Sequence, residues 1–183
     1  MKKFFMTVVA AVAVAMSANA QVYVGGTAGI NSVKVAGGDS ELTFKVLPEV
    51  GYSLDDEWGI GASLGWSKGN GLADLGGQYI HEGNLTTTFE VNPYVRYTAV
   101  KGKYVNVFVD GGFGYKHYNG QGNAWNVGLK PGVAVNLDKF SFAAHVGFVG
   151  WKTYKAKGAD KSSNAAGVDL DGNNISFRVY YNF

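Results

Sequence analysis

Histidine is the first side chain to examine for chemistry, because its imidazole both accepts and donates protons near neutral pH. The chain has three histidines, His81, His117 and His145, and no cysteine. A hydrolytic site needs a histidine base beside a serine or aspartate, and no His-x-Ser pair occurs. The absence of cysteine excludes thiolate nucleophiles, disulfides and cysteine-based metal sites. The sequence therefore predicts no catalytic residue and no enzyme.

The segment Asp169-Leu170-Asp171-Gly172-Asn173 is the best candidate for a metal ligand set, because oxygen-rich loops bind calcium. It lacks the further ligands and the closing glutamate of a calcium loop, and Asp-Gly is itself a turn signal. No phosphate-binding loop is present, since the glycines alternate within strands rather than opening a helix. We expect neither a metal nor a cofactor.

Charged side chains recur inside segments that are otherwise apolar or rich in glycine. Such charges need partners if they are buried, and removing one partner of a buried pair costs about 3 to 5 kcal/mol. Whether they can meet depends on the elements that carry them. The set comprises Lys45, Glu49, Glu90, Arg96, Asp110, Lys116, Lys130, His145 and Arg178.

Those elements are β-strands, because apolar residues alternate with small or polar ones through nearly the whole chain after Gln21. In the clearest case Trp58, Ile60, Ala62, Leu64 and Trp66 alternate with glycine and serine. No helical period of useful length occurs. The pattern predicts eight strands that start near residues 22, 43, 58, 89, 105, 125, 140 and 174.

The connections between these strands alternate in length. Tight polar turns are predicted at 55–57, 101–103 and 138–139, and longer loops rich in Gly, Asn and Asp at 36–41, 68–85, 117–123 and 152–173. An even number of antiparallel strands with short turns at one rim and long loops at the other is the plan of an outer-membrane barrel. Pro48, Pro93 and Pro131 lie inside strands and cannot donate to a ladder, so we expect a bulge or kink near each.

The first twenty residues predict a secretory signal peptide. A basic start at Lys2 and Lys3 precedes an apolar run and an Ala-Asn-Ala cleavage site before Gln21. We expect residues 1–20 to be removed and 21–183 to form one barrel domain. That domain carries fourteen basic and fourteen acidic residues, too little positive charge for a nucleic-acid partner.

The bulk of the side chains indicates which face of the barrel meets lipid. One face carries most of the Trp, Phe, Tyr and Val, and the other carries glycines and the charged set. A narrow lumen suits small residues and paired charges, so the large apolar groups must point outward into lipid. Glu49, Asp110, Lys130, His145 and Arg178 then fall at similar depth and could form a network that fills the lumen. A soluble lipocalin-like cup, apolar inside, is the alternative.

The signal segment, the Pro-x-Val-x-Tyr motifs at 48–52 and 93–97 and the alternating final strand resemble the small outer-membrane β-barrel family of OmpX-like proteins and the OmpA transmembrane domain. The resemblance covers essentially all of 21–183 and implies an all-β, eight-stranded antiparallel up-and-down transmembrane barrel. It also implies that the barrel assembly machinery recognises the last strand, through Phe177, Val179, Tyr181 and Phe183.

We therefore expect a monomer in the outer membrane of a Gram-negative bacterium. Its expected role is structural, in envelope integrity or surface interaction, with outer-membrane lipids and lipopolysaccharide as partners. Two alternatives remain open. One is a small porin-like channel, and the other is a lipid A-modifying enzyme, for which His117 is the only histidine near the outer rim.

Overall fold

The structure is a computed structural model that describes residues 22–34, 40–69, 86–170 and 175–183. The predicted signal peptide, His81 and residues 171–173 of the candidate calcium loop lie outside the described residues. No helix in the described part of the chain is long and apolar enough to cross a membrane. The strands are β1 (Val22–Lys34), β2 (Ser40–Ser53), β3 (Trp58–Lys68), β4 (Thr87–Lys101), β5 (Val105–Tyr118), β6 (Gly122–Leu137), β7 (Phe140–Val146), β8 (Phe148–Ala156), β9 (Ser163–Asp169) and β10 (Ile175–Asn182).

These segments close into a barrel of eight antiparallel strands. From β1 to β6 each strand pairs with the next, and both β7 and β8 pair with β6. β7 and β8 are thus two halves of the seventh barrel strand, and β9 and β10 are two halves of the eighth. Pairing of β10 with β1 completes the circle and confirms the predicted eight-stranded antiparallel barrel.

The seam between the first and last strands is short. Its register joins Tyr23–Gly26 of β1 to Val179–Asn182 of β10, whereas β1 pairs with β2 from Val22 to Lys34. Thr27 adds one side-chain hydrogen bond, from its Oγ1 to the Phe177 carbonyl at 3.1 Å. Closure of the barrel therefore depends on β10, the half of the eighth barrel strand nearest the short-turn end.

A bulge at Gly147 divides the seventh barrel strand. Gly132 pairs with His145 on one side of it and Leu129 with Val149 on the other, so two residues of β6 face three of the seventh strand. Gly147 has a φ of 72°, and a Cβ there would lie 2.1 Å from the Asp169 carbonyl oxygen. Pro131 lies opposite this point, so the bulge predicted near it is found.

At Pro48 and Pro93 the pairing is interrupted on one side, but no register shift marks the predicted bulge. The β2–β3 pairs skip Leu47 and Pro48, and the β4–β5 pairs skip Asn92 and Pro93, but the register is the same before and after each gap. On the other edge of each strand the pairing runs through the proline. A proline N–H is missing on one side only, so an antiparallel strand loses pairs with one neighbour and keeps those with the other.

The short turns lie together at one end of the barrel, as predicted. The first of them is organised by Asp55, whose Oδ1 accepts the backbone N–H groups of Trp58 at 2.7 Å and Glu57 at 2.8 Å. These two hydrogen bonds lower the pKa of the exposed Asp55 carboxyl. Lys101 of the next turn forms an ion pair with Asp56.

At the opposite end, two of the predicted long loops are instead extended strands. β5 and β6 are joined by residues 119–121 alone, and β8 and β9 continue as a hairpin with a turn at 157–162. These segments lack the strong apolar alternation of a membrane strand, because beyond the lipid a hairpin needs only backbone pairing. The strand pattern in the sequence therefore predicts these strands shorter than they are.

The outward face forms an apolar belt bounded by aromatic side chains. Trp58 packs on Tyr97 near the short-turn end, with 4.9 Å between ring centroids, and Trp66 packs on Phe89 at 5.4 Å nearer the other end. Trp58 and Trp66 lie at the first and ninth positions of β3, about 26 Å apart along the strand. With the usual strand tilt this is a height of about 20 Å, close to the apolar band of outer-membrane barrels.

Candidate functional site

The middle of the lumen holds a buried ion-pair network centred on Asp110. Arg96 donates to it in bidentate fashion, Nε to Oδ1 at 2.7 Å and Nη2 to Oδ2 at 2.8 Å. His145 Nε2 lies 2.7 Å from Oδ2, and this histidine is only 2% exposed. The carboxylate therefore makes three short polar contacts, which a buried charge requires.

Glu49 is another buried carboxylate, and it also makes three short polar contacts. Its Oε1 accepts the hydroxyls of Tyr94 at 2.5 Å and Tyr180 at 2.9 Å, and its Oε2 accepts Arg178 Nη1 at 2.6 Å. The register explains why these groups meet, since they lie on inward positions of β2, β4 and β10.

Aromatic rings join the two ion-pair groups into one body. The Arg96 guanidinium lies over the Phe108 ring, with 4.0 Å from Cζ to the centroid, and Nη2 is 3.5 Å from the Tyr180 hydroxyl. The Tyr23 hydroxyl is 2.9 Å from that of Tyr94. We call the resulting body the central plug, and it consists of Tyr23, Glu49, Tyr94, Arg96, Phe108, Asp110, His145, Arg178 and Tyr180.

Glycines that pair directly with aromatic residues on the adjacent strand make room for the rings of the plug. A Cβ at Gly51 would lie 2.0 Å from the Tyr23 ring, and one at Gly61 would lie 2.4 Å from the Tyr94 hydroxyl. A Cβ at Gly132 would lie 2.6 Å from the Phe108 ring. The glycine content of these strands thus has a packing cause, because each missing side chain faces a large one.

A cavity of about 760 Å³ lies on the side of the plug toward the β8–β9 hairpin, and we call it the outer vestibule. Its wall includes Lys45, Glu90, Lys116, Lys130 and Arg178. Lys116 Nζ is 3.2 Å from Glu90 Oε2. Among the described residues, neither Lys45 nor Lys130 has a carboxylate oxygen within 4.0 Å.

A smaller cavity of about 310 Å³, the inner vestibule, lies at the short-turn end. Tyr23 and Arg96 of the plug form its floor, and Asp55, Asp56 and Glu57 lie on its rim. Between the two vestibules, beside Tyr94 and Asp110, there is a third cavity of about 20 Å³, room for about one water molecule. The described side chains thus interrupt the lumen at mid-height.

The structure brings the nine predicted lumen residues into two groups. Glu49, Arg96, Asp110, His145 and Arg178 belong to the central plug. The other four, Lys45, Glu90, Lys116 and Lys130, line the outer vestibule.

The aromatic half of the central plug is not among the residues predicted from the sequence. Tyr94, Phe108 and Tyr180 alternate with outward apolar residues in the sequence, so period two alone places them on the inward face. A large ring among the glycines and charges of that face was the available signal. Tyr23 could not be found in this way, because the alternation in β1 is weak.

Two features of the lumen resemble parts of a hydrolytic site. His145 and Asp110 form the base and orienting group of a triad, but His145 Nδ1 has no hydrogen-bond partner among the described residues. The chain also contains a Gly-x-Ser-x-Gly pattern, Gly61 to Gly65, but it lies inside β3 rather than at a strand-to-helix turn. Its Ser63 accepts a hydrogen bond from Asn92 Nδ2 at 3.3 Å.

The remaining candidate residues lie at the rims or on the outer wall. His117 is exposed near the outer rim, with Nδ1 2.6 Å from Asn123 Oδ1. The proposed assembly residues Phe177, Val179 and Phe183 are exposed on the outward face. In the described part of the chain, no group of three or more His, Asp or Glu side chains could hold a metal ion.

A closed antiparallel barrel with an apolar outer belt and a polar, filled lumen is the architecture of a transmembrane β-barrel. The family model described as "Outer membrane protein beta-barrel domain" matches residues 4–183. The chain therefore belongs to this family of outer-membrane barrel proteins. No curated protein matches the sequence. Among solved structures, the chain is similar to the NMR solution structure of E. coli Outer Membrane Protein W, with 14% identity, 90% of this chain and 98% of that chain covered, and a TM-score of 0.42.

Proposed function

We propose that this protein is a non-conducting, non-enzymatic outer-membrane barrel with a role in envelope integrity or surface interaction. The observation that carries the proposal is the central plug, which fills the lumen between the two vestibules with saturated ion pairs and packed rings. An ion crossing it would have to break charge-assisted hydrogen bonds at Asp110 or Glu49. In this proposal the exported chain, residues 21–183, presents its β8–β9 hairpin to the exterior.

Planar-bilayer recording tests the closed lumen. We expect purified protein to give no stable conductance, and a Tyr94→Ala/Phe108→Ala variant to give discrete openings because two plug rings are lost. Phe113→Ala is the matched control, since Phe113 lies on β5 like Phe108 but faces outward. Stable openings of the unmodified protein would instead support the porin-like alternative, which the vestibules on both sides of the plug favour.

The lipid A-modifying alternative has a separate test. His117→Ala should leave the lipid A mass spectrum of the outer membrane unchanged, because among the described residues the ring hydrogen-bonds to Asn123 and to no nucleophile. The comparison strain lacks the protein altogether. A lipid A species that disappears both in that strain and in the His117→Ala strain would contradict the non-enzymatic role.

A further inference from the structure

The outer vestibule carries a local excess of positive charge. Its wall includes five cationic side chains, Lys45, Lys116, Lys130, Lys152 and Arg178. Among the described residues it includes three carboxylates, Glu49, Glu90 and Asp169, which leaves an excess of two positive charges when His145 is counted as neutral. Residues 21–183 as a whole have equal numbers of basic and acidic residues, so the excess belongs to this cavity and not to the chain.

Each of these three carboxylates already interacts with another group. Glu49 accepts Tyr94, Tyr180 and Arg178, and Glu90 accepts Lys116 and Asn92. In the described part of the chain, three cations of the wall have no carboxylate oxygen within 4.0 Å, namely Lys45, Lys130 and Lys152. Lys152 is exposed, with its Nζ 4.5 Å from the Phe148 ring centroid, whereas Lys45 and Lys130 are only partly exposed within the lumen.

These two ammonium groups act on the same region of the cavity. Lys45 interacts electrostatically with Glu90, Lys116 and Arg178, and Lys130 interacts with these same three residues. Lys45, Lys116, Lys130 and Arg178 therefore line one cavity together with Glu90, whose Oε2 already accepts Lys116 and Asn92. Like charges held this close repel one another, so an anion between them gains more than it would at an isolated lysine.

We propose that the outer vestibule binds a phosphate monoester, carried by a small soluble molecule or by a lipid headgroup. A phosphate monoester carries about −1.5 to −2 charges near neutral pH and three acceptor oxygens, which matches the excess charge and the ammonium groups of Lys45 and Lys130. The cavity volume, about 760 Å³, falls in the usual range for small-molecule sites. Tyr118 and Tyr154 pack edge to face higher on the wall, at 5.9 Å between centroids, and offer apolar area to the rest of the ligand.

Calorimetric titration of the purified, folded barrel tests the proposal. The probes are inorganic phosphate, glucose 1-phosphate and mixed micelles that contain phosphatidic acid, with phosphatidylcholine micelles as the lipid reference. We expect saturable binding at one site that weakens as salt is added, because the attraction is electrostatic. Binding of glucose 1-phosphate without phosphatidic acid assigns a soluble ligand, and the reverse assigns a lipid headgroup.

Variants give the site a signature that a nonspecific anion effect lacks. The Lys45→Gln/Lys130→Gln variant should weaken binding about tenfold or more. Glu90→Gln should strengthen it several-fold, because it removes a competing anion and frees Lys116. Lys103→Gln, in a turn at the opposite end of the barrel, should bind like the unmodified protein.

Absence of saturable binding to all three probes would overturn the proposal, as would equal binding by the double lysine variant. Folding of each variant is checked by heat-dependent gel mobility. The proposal rests on the outward orientation of this vestibule in the proposed function, but not on the closed lumen. Conductance of the unmodified barrel would therefore contradict the proposed closed lumen, but it would not change the result expected from the phosphate titration.

Discussion

At the scale of single residues, Asp110 is the most consequential charge in the barrel. It is 3% exposed and holds Arg96 and His145 through both of its oxygens. Asp110→Ala leaves a buried guanidinium without its partner, so we expect a loss of about 3 to 5 kcal/mol in the free energy of unfolding. Urea unfolding in detergent, followed by tryptophan fluorescence, measures it.

Asp56→Ala is the matched control for that measurement, because Asp56 pairs with Lys101 at the surface. An exposed pair contributes at most about 1 kcal/mol. Equal effects of the two substitutions would show that the Asp110 network does not stabilise the lumen.

The inward glycines give a second prediction at this scale. Gly51→Ala places a methyl group 2.0 Å from the Tyr23 ring, which is held between Tyr94 and Tyr180, so we expect a cost of about 1 to 3 kcal/mol. Gly29→Ala is the control, since nothing lies within 4 Å of its added Cβ. Urea midpoints that shift equally for both would contradict the packing role of Gly51.

The alternation of residues predicted which side chains enter the lumen, because period two is a local property of a strand. It could not predict which of them touch. Glu49 and Arg178 are 129 positions apart and meet only because β1 pairs with both β2 and β10 in a particular register. That register depends on the closure of the whole barrel, which no single segment encodes.

At the scale of elements, the last strand combines barrel closure with the proposed assembly signal. Tyr181 packs edge to face against Phe140 and Phe183, at 5.4 Å and 4.9 Å between centroids. We expect Phe183→Ala to reduce the amount of folded barrel in the outer membrane of growing cells severalfold. Refolding of the purified variant into detergent should change little, because Phe183 is half exposed on the outer face.

Phe113→Ala is the control for assembly, since Phe113 is a similarly exposed aromatic on a central strand. Heat-dependent gel mobility of the outer-membrane fraction gives the folded amount for both variants. Equal loss in cells for Phe113→Ala and Phe183→Ala would assign the effect to lost apolar surface rather than to recognition of the last strand.

The β8–β9 hairpin shows where strand prediction from sequence failed for a physical reason. Inside lipid a strand must alternate apolar and polar faces, and that constraint makes it visible in the sequence. Ser163–Asp169 carries no such constraint, yet it pairs in register with Phe148–Tyr154. Pro131 predicted a bulge in this part of the barrel but not its place at Gly147, because a glycine that needs a positive φ looks in the sequence like one that needs space.

At the scale of the whole molecule, the four tryptophans report on the solvent of the outer wall. Trp58, Trp66, Trp125 and Trp151 are each at least 40% exposed, and all lie on the outward face. Tryptophan emission therefore comes from the outer wall, most of it from the apolar belt that the transmembrane architecture places in lipid. A lipocalin-like cup would place this surface in water.

Reconstitution into brominated phosphatidylcholine distinguishes these two environments. We expect bromine in the acyl chains to quench most of the emission, and aqueous iodide to quench little. Bromine near the headgroup should quench more than bromine near the chain ends, because Trp58 and Trp66 lie toward opposite edges of the apolar belt. Barrel protein unfolded in urea provides the fully accessible reference. Strong iodide quenching of the folded protein, with no bromine effect, would place the aromatic wall in water and contradict the membrane-spanning barrel.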